Sequence, residues 1–155
     1  MRSLLARATI TLLLGGAALV GAGLPATAAP VDSVGTVTAA PQSRADNAVA
    51  WFSARNGSTA YQGYCEKAVE NAYGRTGIYA SAKANWNDAV RRGAAHRGDL
   101  NPPRGALVFW NISAYGHVGL AVGDGTFWAT SVNGRIGKAR LPYFSNYLGW
   151  AWPNF

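Results

Sequence analysis

Cysteine is all but missing from this chain. Cys65 is the only one in 155 residues. A lone cysteine cannot close an internal disulfide, so the chain is not a small disulfide-stapled scaffold. Such a residue is a small buried hydrophobe, a reactive thiol or a point of intermolecular pairing. Histidine is nearly as scarce, with His96 and His117 alone. Acids are few: seven Asp and Glu face fourteen Lys and Arg, for a formal charge of +7. The cations are scattered, and Arg91-Arg92 is the only adjacent pair after residue 28. That spacing argues against a nucleic-acid site.

A long unbroken apolar run is also lacking. The stretch from Ala8 to Leu24 is interrupted by glycines and reaches Pro25. It is shorter than the roughly 20 apolar residues of a comfortable membrane span. Arg2 and Arg7 precede or open it, and Ala26 and Ala28 follow with the spacing of a signal-peptidase site. Residues 1–28 therefore read as a secretory signal, cut after Ala28 or, as second choice, after Ala29. No cysteine near the cut offers lipid attachment, and no Arg-Arg pair marks twin-arginine export. The expectation is a secreted, extracellular or wall-associated protein with no stable membrane anchor. Losing Arg2 and Arg7 lowers the charge from +7 to +5. That excess favours adhesion to anionic polymers, cell-wall polymers and nucleic acid among them. A monomer is the default expectation.

Residues 29–43 are small, Pro- and Thr-containing, and read as a flexible leader; the domain is 44–155. Ala45, Ala48, Val49 and Phe52 share a helical face, and Asn56-Gly57 supplies a stop. A second helix is predicted from Cys65 to Gly74, and a third from a Ser81 cap to Gly93. After Pro102-Pro103 the periodicity changes. Residues 106–110, 117–122, 126–132 and 147–153 read as strands, with Gly123-Asp124-Gly125 as a hairpin turn. Helices followed by an antiparallel meander make an α+β domain.

Cys65 at a helix start is well placed to be a nucleophile. First-turn N–H groups and the helix dipole favour thiolate over thiol, which predicts a lowered thiol pKa. His117 opens a strand beside the apolar strand 106–110, while His96 sits in a polar loop. Helix-borne Cys and strand-borne His make a papain-like arrangement.

The segments GYCEKAVENAYG (63–74), NPPRGALVFW (101–110), YGHVGLAVGDGTFWATS (115–131) and YLGWAWP (147–153) carry a resemblance. Together they resemble the NlpC-type and CHAP (cysteine, histidine-dependent amidohydrolase/peptidase) superfamily over roughly Arg44 to Phe155. The resemblance implies a papain-like fold with N-terminal helices packed on a small antiparallel sheet. It implies a cysteine endopeptidase or amidase acting on cell-wall peptidoglycan, with Cys65 as nucleophile and His117 as acid–base. No cofactor is implied. The Asp-Cys-Ser triplet of the NlpC branch is absent here.

The family's third residue orients the histidine. The NlpC-branch spacing puts Ala129 there, which cannot do so. If Gly123-Asp124-Gly125 is a three-residue loop, Val122 pairs with Thr126 and His117 falls opposite Ser131. Ser131 is then the first choice and Asn133, on the same face, the second. A two-residue loop would present Thr130 instead. For the oxyanion hole the Cys65 N–H is available by position, with Gln62 or the Tyr64 hydroxyl as second donor.

Three rivals remain. One Cys and two His are enough ligands for a zinc amidase. The charge, the aromatics and the weak third position suit a non-catalytic wall-binding domain. The same thioester could also be captured by an amine, giving acyl transfer.

Overall fold

The structure, a computed structural model, describes residues 40–155, with side chains from Arg44 onward. The signal segment and most of the leader lie outside the described residues. The elements are α1 (Ala40–Ser53), α2 (Cys65–Ala72), α3 (Ala82–Arg91), β1 (His96–Arg97), β2 (Leu107–Trp110) and β3 (His117–Ala121). There follow β4 (Thr126–Val132), β5 (Arg135–Arg140), a 3-10 turn (Leu141–Tyr143) and β6 (Tyr147–Ala151). The strands form one sheet in the order β1-β6-β2-β3-β4-β5, with every pairing antiparallel. This is the α+β architecture expected from the sequence. No helix among the described residues is long and apolar enough to cross a membrane.

The helices lie where the apolar spacing puts them. Ala48, Val49 and Phe52 of α1, Ala68 and Val69 of α2, and Trp86 and Ala89 of α3 bury against one face of the sheet. That face supplies Leu107, Phe109, Val118 and Leu120. Each such large side chain contributes about 1.5–3 kcal/mol by leaving water. The α3 start is fixed by Ser81, whose Oγ accepts the Ala84 N–H at 3.2 Å, satisfying one of the helix's free donors. The other face of β2 to β4 is also covered. Val108, Trp110, Phe127 and Ala129 pack there against Leu141 and Trp150. This explains why β2 and β3 are buried on both faces rather than alternating.

Three boundaries differ from the sequence expectation. Helix α1 begins at Ala40, four residues inside the predicted leader. Strand β5 was not predicted, because Arg135, Lys138 and Arg140 make it look like a charged loop. Its charges sit at exposed positions with Ile136 buried between them, so its one apolar face is short. The predicted loop around His96 is instead a two-residue edge strand, pairing His96 with Trp150 and Arg97 with Gly149.

Two glycines of the β3 segment have steric reasons. Gly116 has φ +70, and a Cβ there would sit 3.1 Å from the Lys83 nitrogen. That nitrogen donates to the Tyr115 carbonyl at 2.8 Å, tying the entry of β3 to the first turn of α3. A Cβ on Gly119 would lie 2.8 Å from the Trp128 carbonyl oxygen, so the close approach of β3 to β4 requires its absence.

Candidate active site

Cys65 is the first residue of α2 and is half-buried. His117 is the first residue of β3 and is 6% exposed. Both line one cleft of about 710 Å³. Its wall runs from Gly63 and Tyr64 through α2, past Tyr79 and Ser81, to Tyr115, Gly116 and Thr130. The two elements are neighbours because α2 packs its apolar face, Ala68 and Val69, over Val118. The helix start thus meets the strand start.

The electrostatics differ from the sequence expectation of a lowered thiol pKa. Burial pushes the Cys65 thiol up. Main-chain N–H groups of Val118, Glu66 and Cys65 itself pull it back down, and the Glu66 charge raises it again. Two of these donors come from the helix start and one from β3, and desolvation outweighs all three. Burial also holds His117 down at about 4, with the facing main chain of Thr130 opposing. At neutral pH the thiol and the imidazole that line the cleft are both neutral.

The imidazole is held by packing rather than by a polar side chain. Its ring meets Phe144 edge-on at 4.6 Å and lies 5.9 Å from Trp110. Its Nε2 is sealed from solvent and has no partner in the protein. Phe144, beyond the 3-10 turn, was not picked out from the sequence. No periodic signal marks it, since it lies in an irregular segment between β5 and β6.

The hairpin is the three-residue loop: the Val122 N–H bonds to the Thr126 carbonyl at 2.9 Å, and Gly119 pairs with Ala129. Continuing that register would bring Ser131 opposite His117. The regular ladder is lost first. Ser131 has φ +63, and the β4–β5 register shifts between Ala129 and Val132. The Ser131 side chain turns to the loop before α2, where its hydroxyl donates to Gln62 Oε1 at 2.8 Å. Asn133, also left-handed at φ +51, accepts the Tyr143 hydroxyl at 3.1 Å. Neither of the two side chains hydrogen-bonds to His117. The main chain of Thr130 takes the place that a polar side chain was expected to fill.

Gln62 Nε2 is buried and without a partner, and Gln62 itself is not among the residues that line the cleft. Tyr64 caps α2 by position but makes no side-chain cap bond, and it is 62% exposed at the cleft rim. His96 is not brought to the site. It stacks flat on Trp150, with centroids 3.5 Å apart, at the β1 edge of the sheet. Two strands, β6 and β2, separate β1 from β3. Among the described residues no three His, Cys, Asp or Glu side chains converge as a metal-binding group.

The sequence matches no protein-family model and no curated protein. Solved structures do match. The peptidoglycan hydrolase RipB from Mycobacterium tuberculosis superposes with a TM-score of 0.55 at 15% identity, covering 76% of this chain and 68% of that one. The P60 domain of antigen MAP1204 from M. avium subspecies paratuberculosis gives 0.49 at 14% identity, covering 70% and 94%. The chain shares the α+β fold of RipB.

Proposed function

We propose that the chain is a secreted cysteine peptidase or amidase that hydrolyses peptide or amide bonds of cell-wall peptidoglycan. One observation carries this reading: a cysteine at a helix start and a histidine at a strand start line one cleft in a fold shared with a peptidoglycan hydrolase. The excess positive charge suits an anionic wall.

The resting neutral pair sets the order of events. His117 accepts the thiol proton as Sγ attacks the amide carbon. The developing oxyanion is received by the Cys65 N–H and by Gln62 Nε2. The imidazolium then gives its proton to the leaving amine, and a thioester remains on Cys65. His117 next takes a proton from water, which attacks the thioester and releases the acid. The thiol returns at the end of the cycle.

A second reading, wall binding without turnover, draws on the absence of a polar side chain that orients His117. Acid-quenched intact-mass analysis during turnover separates the two. A mass increment on Cys65 matching an acylated stem peptide supports the hydrolase. Wall binding with an unmodified protein at every time point supports the binding domain.

A further inference from the structure

Glu66 follows the nucleophile directly and plays no part in the mechanism above. It is 5% exposed and contributes to the wall of the cleft. Its Oε1 accepts the Asn85 side-chain N–H at 2.8 Å, which joins α2 to α3 inside the protein. Its Oε2 is buried with no partner. An ionised carboxylate offers about four acceptor positions, and one neutral donor is a poor replacement for water. The contrast with Glu70, one turn along, is instructive. Glu70 Oε1 accepts two main-chain N–H groups, from Ile78 at 3.0 Å and Tyr79 at 2.7 Å.

We propose that Glu66 is a positioning residue that gates the nucleophile: its carboxyl, clamped by Asn85 and sealed beside Cys65, must stay in the acid form for the thiolate to develop. The proposal rests on Cys65 being the reactive thiol of the function proposed above. Two negative charges on successive residues would share one desolvated helix start, and the same low local dielectric that penalises each alone strengthens their repulsion. Of the groups around Glu66, only the Asn85 amide on α3 favours its charge, and the Glu70 charge on its own helix opposes it. Cys65, Lys67 and His117 line the same cleft, and none of them is among the influences on it. Burial, with Glu70 adding to it, raises Glu66 to about 8 against the pull of Asn85. The Glu66 charge in turn raises Cys65, while it is not among the influences on His117. Ionisation of Glu66 therefore opposes the thiolate without a matching gain at the base. The site is built to work on the acid side of the Glu66 titration.

The test uses iodoacetamide alkylation of Cys65 against pH, which needs no substrate and no turnover. Glu66→Gln keeps the shape and the acceptor for Asn85 but cannot ionise. The variant is expected to alkylate faster than the unmutated protein above pH 8, by up to about tenfold for a one-unit drop in thiol pKa. The gain should fade below that pH. Superimposable profiles across the whole range would overturn the proposal. If the variant does not fold, carbon-13 NMR titration of the Glu66 carboxyl in the unmutated protein decides. A midpoint near 8 supports the gate, and one in the ordinary carboxylate range overturns it. A protein that hydrolyses no peptidoglycan yet shows the alkylation shift would refute the proposed function and leave the gate standing.

Discussion

The Ser131 hydroxyl donates a 2.8 Å hydrogen bond to Gln62 Oε1. This bond fastens the end of β4 to the loop that delivers Cys65, across 69 residues of chain. It also fixes the amide of Gln62 so that Nε2 is the end left without a partner. Ser131 thus ties down the loop before Cys65 rather than orienting the imidazole.

Ser131→Ala is expected to lower kcat by about tenfold or less, since one neutral hydrogen bond is worth about 0.5–1.5 kcal/mol. Gln62→Ala should cost more, about 10²–10³-fold in kcat, as loss of an oxyanion donor does. Neither variant should move the pH midpoint of Cys65 alkylation. Ser131→Asp, which would help if residue 131 faced His117, is expected to lower activity by setting a carboxylate against Gln62 Oε1. Steady-state kinetics of the three variants on one peptidoglycan preparation check this.

The two histidines should separate cleanly. His117→Ala is expected to lose about 10²–10⁴-fold in turnover while retaining the fold. His96→Ala removes a ring stacked on Trp150 at the β1 edge and should leave turnover nearly unchanged, with a small loss in thermal midpoint. Comparable losses of turnover in both variants would contradict the assignment.

Stability should show an unusual pH profile. His117 is held at about 4 against an ordinary 6.5, so its contribution is present above 6.5 and is lost as pH falls through 4. Glu66 is raised to about 8 from an ordinary 4.5, so its contribution is present below 4.5 and is lost as pH rises through 8. Between 4.5 and 6.5 the two slopes oppose each other and nearly cancel. Urea midpoints should be flat there, and should fall from 6.5 up to 8 and again in more acid solution. Glu66→Gln should abolish the alkaline fall and leave a rise between 4.5 and 6.5.

Turnover should carry the same signature on its acid side. The imidazole must be neutral to accept the thiol proton, so the acid limb of kcat/KM should lie near 4 rather than near the ordinary histidine value. A limb at or above 6.5 would mean that His117 is not desolvated as described.

Much of this was legible in the sequence, for local reasons. The three helices announce themselves by apolar spacing and by the Ser81 cap, and β2, β3, β4 and β6 by runs of strand formers between glycine and proline breaks. The hairpin itself was marked by Gly123-Asp124-Gly125, though the sequence left its register open between a three-residue and a two-residue loop, and the structure has the three-residue form. What escaped was set by tertiary context. The left-handed backbone at Ser131 and Asn133 turns both side chains away from His117. Asn133-Gly134 is a turn signal, but nothing in the residue type of Ser131 advertised its left-handed backbone. The direction of the thiol shift was missed because burial, which is a tertiary property, outweighs what the helix start offers. Nothing in the sequence singles out Glu66, and only its burial against Asn85 gives it another role.

The most direct test of the account is digestion of purified peptidoglycan by the unmutated protein and by Cys65→Ala, with mass analysis of the released fragments. The account predicts fragments whose masses fit hydrolysis of a stem-peptide or amide bond, and none above background from the variant. Equal release by both proteins, or wall binding with no release from any wall type, would contradict it.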